Sequence, residues 1–303
     1  MHGTGLFTSI GALAQGGSVL TLEGHSFDAA ECLEAVTKWQ ANPLAIVGDA
    51  FAKPLLRELE ANGNRYDISS VLVMISSGVM WSMEVKQGLL KFNRNMVLTD
   101  SFGASEAVGF GRSDTTAEGT VQTARFVLGE HCKVFTEDFR EVKPGDPEPG
   151  FIARGGAIPL GYYKDEEKTK KTFPVIDGQR YSMPGDWVQV ESDGTLVLLG
   201  RGSVCINTAG EKVYPEEVEE VLKEHGDVDD ALVVGVPDEK WGQMVTAVIA
   251  LRPGATFDQD ALRAHVRGKL AGYKTPKRVI FVDALPKNPS GKVLKRDLRL
   301  QFG

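Results

Sequence analysis

The chain has 303 residues, a formal net charge of −7 and 42% hydrophobic residues. This length suffices for two domains, and the composition is typical of an ordinary soluble globular protein. A net acidic chain without a basic stripe argues against nucleic acid or an anionic membrane as the main partner.

The cysteines and the first residues indicate the compartment. Cys32, Cys132 and Cys205 lie far apart and form neither a CxxC pair nor a Cys/His cluster. We therefore expect neither a zinc site nor a disulfide framework, and a reducing cytoplasm fits best. Residues 1–5 lack the basic segment of a signal peptide, and no apolar run reaches membrane-spanning length. We predict a cytoplasmic chain without an integral membrane segment.

The first hundred residues alternate between helical and strand-like patterns. Apolar residues at helical spacing behind Asp28, a candidate N-cap, predict a helix over 29–40. The continuous apolar run 71–75 is typical of a strand buried on both faces. Further helices are predicted over 54–60 and 82–92, and further strands over 44–47 and 96–99. The alternation favours a doubly wound α/β sheet.

The remaining chain shows two further patterns. From about residue 115 it is strand-like and turn-rich, and Ser192-Asp193-Gly194 between apolar runs predicts a hairpin. After residue 201 helices are predicted over 216–224 and 258–270, with strands over 231–236, 244–251 and 278–283. We therefore predict a large domain at 1–200, with an α/β part (1–114) and a β-rich part (115–200), and a small α+β domain at 201–303.

Two polar segments, 76–78 and 101–106, follow neighbouring predicted strands, at the edge where such sheets bind ligands. In the second segment Phe102 can stack on a purine base, Ser105 can donate to a phosphate oxygen, and Glu106 can ligate Mg²⁺. The alternative is that Ser105 and Glu106 only open a helix, where acidic residues are common. The residues alone leave the two interpretations evenly balanced.

Three further side chains are candidates for nucleotide chemistry. Asp186, just before a predicted strand, can accept from ribose hydroxyls, although a turn aspartate bonding its own backbone is the better reading by itself. Arg201 can reach the same ribose or a phosphate. Lys292, in a Pro/Gly-rich loop, can stabilise charge at a reacting centre, although tail lysines are usually solvated. Neither a phosphate-binding Gly-x4-Gly-Lys-Ser/Thr motif nor a Gly-x-Ser-x-Gly motif occurs.

Taken in order, these segments resemble the adenylate-forming superfamily of acyl-CoA synthetases, luciferases and peptide-synthetase adenylation domains. Residues 76–80 are similar to the adenine-side Gly-Gly-Ala-Pro segment, and 102–106 to the Tyr-Gly-x-Thr-Glu motif. Asp186 matches the aspartate of the Thr-Gly-Asp motif. The other matches are residues 2–5 with a His-containing segment beside the acyl pocket, 200–219 with the hinge and coenzyme A channel, and 289–292 with the catalytic-lysine loop.

The resemblance implies a two-step reaction. A carboxylic acid and ATP give an acyl-adenylate and pyrophosphate, and the thiol of coenzyme A then gives the thioester and AMP. Lys292, Ser105 and Glu106 would be catalytic, with Glu106 ligating Mg²⁺. Gly202 would be the hinge about which the small domain moves. The implied nucleotide site is Ser77, Gly78, Val79, Phe102, Ser105, Asp186 and Arg201, and the implied acyl and coenzyme A path is His2, Gly103, Ala209, Gly210 and Glu211.

This sequence departs from the family pattern at its start. The family's phosphate loop lies upstream of the segment that contains His2, where this sequence begins. We therefore expect a truncated ligase, or one that needs a complementary N-terminal chain or a homo-oligomer, with apolar helix faces exposed. Residues 202–208 are similar to actinobacterial ligases of fatty or sterol side-chain acids. The alternative is a non-catalytic fragment, or a subunit of a split synthetase, that binds nucleotide or acyl-adenylate.

Overall fold

The computed structural model describes residues 3–79, 81–119, 125–201, 205–256 and 258–285, with Arg201 described by its backbone alone. The chain divides into two compact units. The first contains residues 1–148, 152–184 and 190–197, and the second contains 149–151, 185–189 and 198–303. The domain boundary at residue 200 stays a prediction.

The described residues form helices and strands throughout both units. The helices are α1 (Gly3–Ala14), α2 (Ala29–Trp39), α3 (Asp49–Asn62), α4 (Met83–Phe92), α5 (Glu166–Thr172), α6 (Pro215–Lys223) and α7 (Gln259–Lys269). The strands are β1 (Pro43–Ile46), β2 (Val73–Ser77), β3 (Val97–Ala104), β4 (Ala107–Thr115), β5 (Arg125–Leu128), β6 (Cys132–Phe135), β7 (Gly150–Arg154), β8 (Val175–Ile176), β9 (Gln179–Arg180), β10 (Asp186–Val190), β11 (Leu196–Arg201), β12 (Ile206–Thr208), β13 (Glu211–Val213), β14 (Val228–Asp238), β15 (Gly242–Leu251) and β16 (Arg278–Val282).

Helices α2 and α3 form where apolar side chains recur at helical spacing. The Asp28 side chain accepts a hydrogen bond from the Glu31 backbone N–H, which confirms the predicted N-cap of α2. Helix α3 begins five residues before the predicted start at Pro54. Ala52 is buried on the same face as Leu55, so packing continues the helix through the proline.

The sheet of the first unit begins with three parallel strands. Strand β1 pairs with β2, and β2 pairs with β3, in the α/β arrangement expected from the sequence. Burial alternates along β2, so the expectation that 71–75 is buried on both faces is wrong. Met74 faces the core that α2, α3 and α4 cover, whereas Leu72 is exposed. Strands β4, β5 and β11 continue the sheet by antiparallel pairing.

The first unit also contains the turn of the predicted hairpin and one helix that the sequence pattern did not predict. Glu191 N–H donates to the Thr195 carbonyl at 2.9 Å, and Gly194 adopts a positive φ of 81°. Helix α5 has Asp165 as its N-cap, and the Asp165 side chain accepts from the Lys168 N–H at 3.0 Å. Its polar sequence, EEKTKKT, lacks the apolar periodicity that reveals a buried helix.

The second unit contains a five-stranded sheet in the order β13-β12-β15-β14, with β16 parallel to β15. Helices α6 and α7 cover one face, and Val218, Leu222, Leu262 and Val266 join the strands in one core. This confirms the helices and strands predicted between residues 216 and 283 to within a few residues. Among the residues that the structure describes, no helix is long and apolar enough to cross a membrane.

Candidate active site

The candidate site of the first unit lies at the tip of the hairpin between β3 and β4. Ala104 pairs with Ala107, which leaves Ser105 and Glu106 as the two turn residues. The alternative in which these residues open a helix is therefore wrong, because antiparallel pairing to β4 continues β3 up to Ala104. The turn presents a hydroxyl and a carboxylate side by side, with Ser105 exposed and Glu106 partly buried.

Gly103 is required by this hairpin. A Cβ atom at position 103 would lie 3.1 Å from the Gly109 backbone nitrogen and 3.2 Å from the Ala107 carbonyl oxygen. Both atoms belong to the paired strand, so they cannot retreat without opening the hairpin. The close approach of the two strands therefore explains the glycine at position 103 without reference to the acyl path. Its place on that path stays a prediction.

Glu106 is held by a residue from a distant part of the sequence. The Tyr162 hydroxyl donates to Glu106 Oε1 at 2.6 Å, across 56 residues of chain. A hydrogen bond to a charged carboxylate is among the stronger ones in proteins. Sequence reasoning missed Tyr162, because no spacing rule relates it to the hairpin motif.

Phe102 is buried in an aromatic cluster. Its ring centroid lies 5.3 Å from that of Phe110 and 5.2 Å from that of Phe126. These contacts fix the ring beneath the hairpin tip, at distances typical of favourable aromatic pairs. Its assignment as the residue that stacks on adenine stays a prediction.

The second polar segment lies beside the first, as the sequence predicted for the edge of the sheet. Ser77, the last residue of β2, pairs in register with Ser101 of β3. Gly78 follows with a φ of 87°, a conformation that favours glycine, and Val79 is partly buried. Ser76 is buried, and its Oγ accepts from the Gly48 N–H at 2.9 Å. The carboxyl ends of β1, β2 and β3 are thus tied together.

Helix α1 begins close to the same turn. A Cβ atom built on Gly3 would lie 3.8 Å from Ser105 Oγ. The sequence pattern did not predict this helix, because three glycines interrupt its apolar positions. His2, assigned by resemblance to the acyl path, lies outside the described residues.

A buried ion pair near the hairpin was also missed. Lys86 of α4 contacts the Asp100 carboxylate of β3, and only 1% of the Lys86 side chain is exposed. Burial raises the pKa of Asp100, while the neighbouring ammonium of Lys86 acts to lower it. The Lys86 Nζ also lies 5.6 Å from the centroid of the Trp81 ring. The sequence feature that could have revealed this pair is a lysine among the apolar residues of α4, since Lys86 is buried in the same helix as Val85 and Leu89.

The second unit contains the other predicted residues that are described. Asp186 begins β10 and is buried. The next residue, Trp187, lies with its ring centroid 6.3 Å from that of Tyr214 and 4.8 Å from Lys212 Nζ. Ala209 and Gly210 form the turn between β12 and β13, with φ values of 51° and 85°. Glu211 follows as the first residue of β13 and is exposed.

Several assignments made by resemblance lie outside the described residues. These are Lys292, Gly202 and the side chain of Arg201. Within the first unit, Ser77 lies on β2, which pairs with β3. Phe102 belongs to β3, and Ser105 and Glu106 follow that strand directly. Asp186 lies in the second unit with Ala209, Gly210 and Glu211.

Metal-binding and thiol chemistry have few candidates in the described part of the chain. No group of three or more His, Cys, Asp or Glu side chains able to hold a metal occurs among the described residues. All three cysteines are free. Burial, assisted by the nearby Glu31 carboxylate, raises the pKa of Cys32 to about 11, so its thiol is unreactive at neutral pH.

Comparisons with known proteins give a consistent result. Residues 217–292 match the family of AMP-binding enzyme C-terminal domains. The chain is 47% identical over 274 residues to a medium/long-chain-fatty-acid–CoA/3-oxocholest-4-en-26-oate–CoA ligase of Mycobacterium tuberculosis, covering 90% of this chain and 50% of the relative. It is 44% identical over 298 residues to a 3-oxocholest-4-en-26-oate–CoA ligase of Rhodococcus rhodochrous, covering 96% and 53%.

A solved structure extends the similarity to the fold. ATP-bound MatB from Rhodopseudomonas palustris superposes with a TM-score of 0.83 at 28% identity, covering 99% of this chain and 58% of that one. The chain thus spans about half the length of the curated relatives that it matches.

Proposed function

Because this chain is a relative of the adenylate-forming acyl-CoA ligases, we propose that it activates a carboxylic acid with ATP and transfers the acyl group to coenzyme A. The observation that carries this proposal is the 47% identity that extends over 274 residues of the chain. The hairpin that presents Ser105 and Glu106 supports it, since a hydroxyl and a carboxylate at one tip suit a metal-bound polyphosphate.

Each predicted residue has a role in this proposal. Ser105 donates to a phosphate oxygen, Ser77, Gly78, Val79 and Phe102 enclose the adenine, and Asp186 and Arg201 hold the ribose. Lys292 bridges the substrate carboxylate and the phosphate, where a fixed positive charge stabilises developing negative charge. Gly202 is the hinge for the small domain. His2, Gly103, Ala209, Gly210 and Glu211 line the acyl and coenzyme A path.

The Glu106 carboxylate fits Mg²⁺. Magnesium prefers oxygen ligands and is usually bound through one or two carboxylates together with substrate phosphates. The absence of a larger acidic cluster among the described residues is compatible with such a site. One Glu106 oxygen accepts the Tyr162 hydroxyl, and the carboxylate retains its second oxygen for a metal. Bound Mg²⁺ would neutralise charge on the phosphates.

We propose a fatty acid or a sterol side-chain acid as the substrate. The relatives from Mycobacterium tuberculosis and Rhodococcus rhodochrous are named for such acids, at 47% and 44% identity. A reducing, cytoplasmic setting is part of the same proposal, and the three free cysteines support it.

We also propose that a second polypeptide region covers helix α1. This region corresponds to the half of the relatives' length that the match does not include. No α1 residue is buried, and its exposed apolar side chains are Leu6, Phe7, Ile10 and Leu13. Apolar side chains spaced along one helix in this way are typical of an interaction surface. Strand β1, at the end of the strand order, lies beside α1 and offers an edge for further pairing.

The alternative is that the chain binds nucleotide or acyl-adenylate without catalysis. Its coverage of only half of each relative favours that reading for the chain in isolation. The resemblance of residues 289–292 to the family's catalytic-lysine loop favours catalysis, since a pure binder does not need that lysine.

The test is AMP release by the purified chain with ATP, Mg²⁺, coenzyme A and a panel of short-chain, medium-chain, long-chain and sterol-derived acids. We expect AMP and thioester from one acid class. Lys292→Ala is expected to lower AMP formation about 10²–10³-fold with ATP affinity retained. Lys295→Ala, in the same tail, serves as the control with unchanged turnover.

One result would contradict the ligase assignment, and another would contradict the role given to Lys292. Folded chain that binds ATP but forms no AMP, alone or with the complementary half of a relative, supports the non-catalytic alternative. Unchanged turnover in Lys292→Ala removes the role given to that lysine.

A further inference from the structure

We propose that Tyr162 is a positioning residue for the metal ligand Glu106. Its hydroxyl engages one carboxylate oxygen and thereby orients the other toward the bound cation. This inference rests on the proposed function, because Glu106 is a metal ligand only if the chain binds MgATP. It concerns residues of the first unit alone.

The first step is the contact itself. Tyr162 Oη lies 2.6 Å from Glu106 Oε1, a short distance typical of a hydroxyl that donates to an ionised carboxylate. Glu106 occupies the two-residue turn between β3 and β4 and is partly buried. A donor that holds one oxygen restricts rotation of the carboxylate, so the second oxygen keeps a defined direction.

The second step is that Tyr162 is itself fixed. Its backbone N–H donates to Thr169 Oγ1 at 2.8 Å, and Thr169 belongs to helix α5. The ammonium of Lys168 lies 3.9 Å from the centroid of the Tyr162 ring, close enough for a cation–π interaction. The Phe173 ring packs 5.9 Å away, centroid to centroid. The tyrosine is therefore held at its backbone and at its ring.

The preceding glycine shows how closely this segment approaches α5. Gly161 has a φ of 153°, and a Cβ atom there would lie 2.5 Å from Thr169 Cγ2. Only glycine allows this approach without displacing Thr169. The backbone at Tyr162 is therefore held close to α5 by contacts that do not involve Glu106.

The third step is the chemistry of the donor. A lysine or arginine at this place would neutralise Glu106 and compete with the cation for its charge. The tyrosine hydroxyl is neutral, so it fixes the carboxylate and leaves its negative charge for Mg²⁺. Partners that orient a metal ligand in this way typically change metal affinity by about 10–100-fold when they are removed.

The experiment compares ATP affinity with saturating Mg²⁺ and with EDTA, measured by titration calorimetry on the purified chain. The ratio of the two dissociation constants gives the gain that the metal provides. We expect Tyr162→Phe to reduce this gain about tenfold or more and to leave the affinity in EDTA unchanged. Tyr163→Phe is the matched control, because Tyr163 is the next residue and is 88% exposed.

The readout separates positioning from a general structural role. A merely structural tyrosine would weaken ATP binding equally with and without Mg²⁺, and that result overturns the inference. Circular dichroism and the thermal midpoint verify that Tyr162→Phe is folded. Tyr162→Trp supplies a second variant, which keeps an aromatic ring over Lys168 but removes the phenolic donor, and it should show the same reduced gain.

Glu106→Gln distinguishes failure of this inference from failure of the proposed function. If Glu106→Gln abolishes the gain and Tyr162→Phe leaves it intact, the positioning role alone is wrong. If Glu106→Gln leaves the gain intact, Glu106 is not the ligand and the inference is wrong, while ATP binding stands. If the wild-type chain shows no binding of MgATP, both are wrong.

Discussion

Lys86 and Asp100 place two opposite charges in the interior beside the hairpin. Taking charges out of water is costly, and the mutual attraction offsets that cost only while both partners are present. The pair joins α4 to β3 just before the segment that leads to Ser105 and Glu106. The pair therefore helps to hold the strand that carries the candidate site against α4.

We expect Lys86→Met to destabilise the chain by about 3–5 kcal/mol, because it leaves the Asp100 carboxylate buried without its cation. The measurement is the free energy of unfolding in urea. Lys91→Met is the control, since Lys91 belongs to the same helix but is exposed, and it should change stability by less than about 0.5 kcal/mol. A similar effect for both variants would contradict the importance of the buried pair.

The loss caused by Lys86→Met should also depend on pH. Burial raises the pKa of Asp100, so the folded state holds the proton more tightly than the unfolded state does. This preference stabilises the folded chain at low pH, and the contribution is lost as pH rises through the folded pKa. Without Lys86 the pKa rises further. The deficit of the variant, measured by urea unfolding, should therefore shrink as the pH is lowered, and a deficit that does not change with pH would contradict this argument.

Individual site residues could be predicted from the sequence only where they belong to a recognisable motif. Ser105 and Glu106 were proposed as site residues because they stand together in a segment that resembles a family motif. Tyr162 and Lys86 were missed because each meets its partner through the fold, across 56 and 14 residues respectively. A single tyrosine or lysine carries no spacing signal by which such a contact can be predicted.

Among the secondary-structure elements, the contact between α3 and α4 depends on a missing side chain. Gly88 lies in α4, and a Cβ atom there would lie 2.5 Å from Leu56 Cδ2 and 3.3 Å from Leu56 Cγ. Leu56 packs against the core of the first unit, so its movement away from α4 would disturb other contacts. The glycine therefore allows the two helices to approach closely.

We expect Gly88→Ala to lose about 1 kcal/mol of stability, because the strain of overpacking exceeds the gain in helix propensity. Gly268→Ala in α7 is the matched change, since nothing lies within 4 Å of the added Cβ. It should gain up to about 1 kcal/mol. Thermal unfolding of both variants tests the pair, and stabilisation by Gly88→Ala would contradict the packing argument.

The elements themselves could be predicted where periodicity is strong, as for α2, α4, α6 and α7. Two segments misled sequence reasoning for physical reasons. Residues 104–106 are compatible with a helix start, and pairing to β4 decides that they form a turn. The glycines in α1 lower its helix propensity, and the helix nevertheless forms.

At the scale of the whole molecule, helix α1 is notable because its apolar side chains are exposed and none of its residues is buried. Ile10 is 54% exposed and Leu13 is 59% exposed. The sequence predicted exposed apolar helix faces from the family resemblance, although it did not identify this helix. The α/β class and the helices and strands between residues 215 and 282 could be predicted, whereas the α1 surface depends on non-local packing that no periodicity describes.

We expect the double variant Ile10→Lys, Leu13→Lys to bind less of a hydrophobic dye and to self-associate less, because the charges interrupt the apolar face. Dye fluorescence and light scattering provide the measurements. Leu160→Lys is the control, since Leu160 is 94% exposed but lies on a separate loop. Equal effects from both changes would mean that the α1 face is not a specific surface.

If a partner binds the α1 surface, the thermal midpoint of this chain depends on the concentration of that partner as well as on the sequence. A partner that binds only the folded chain raises the apparent stability by RT ln(1 + [L]/Kd), which is about 2.7 kcal/mol at a hundredfold excess over Kd. The half of a relative that the match does not include, added as a separate polypeptide, should therefore raise the midpoint in proportion to the logarithm of its concentration. Melting curves would then detect the partner before any substrate is known.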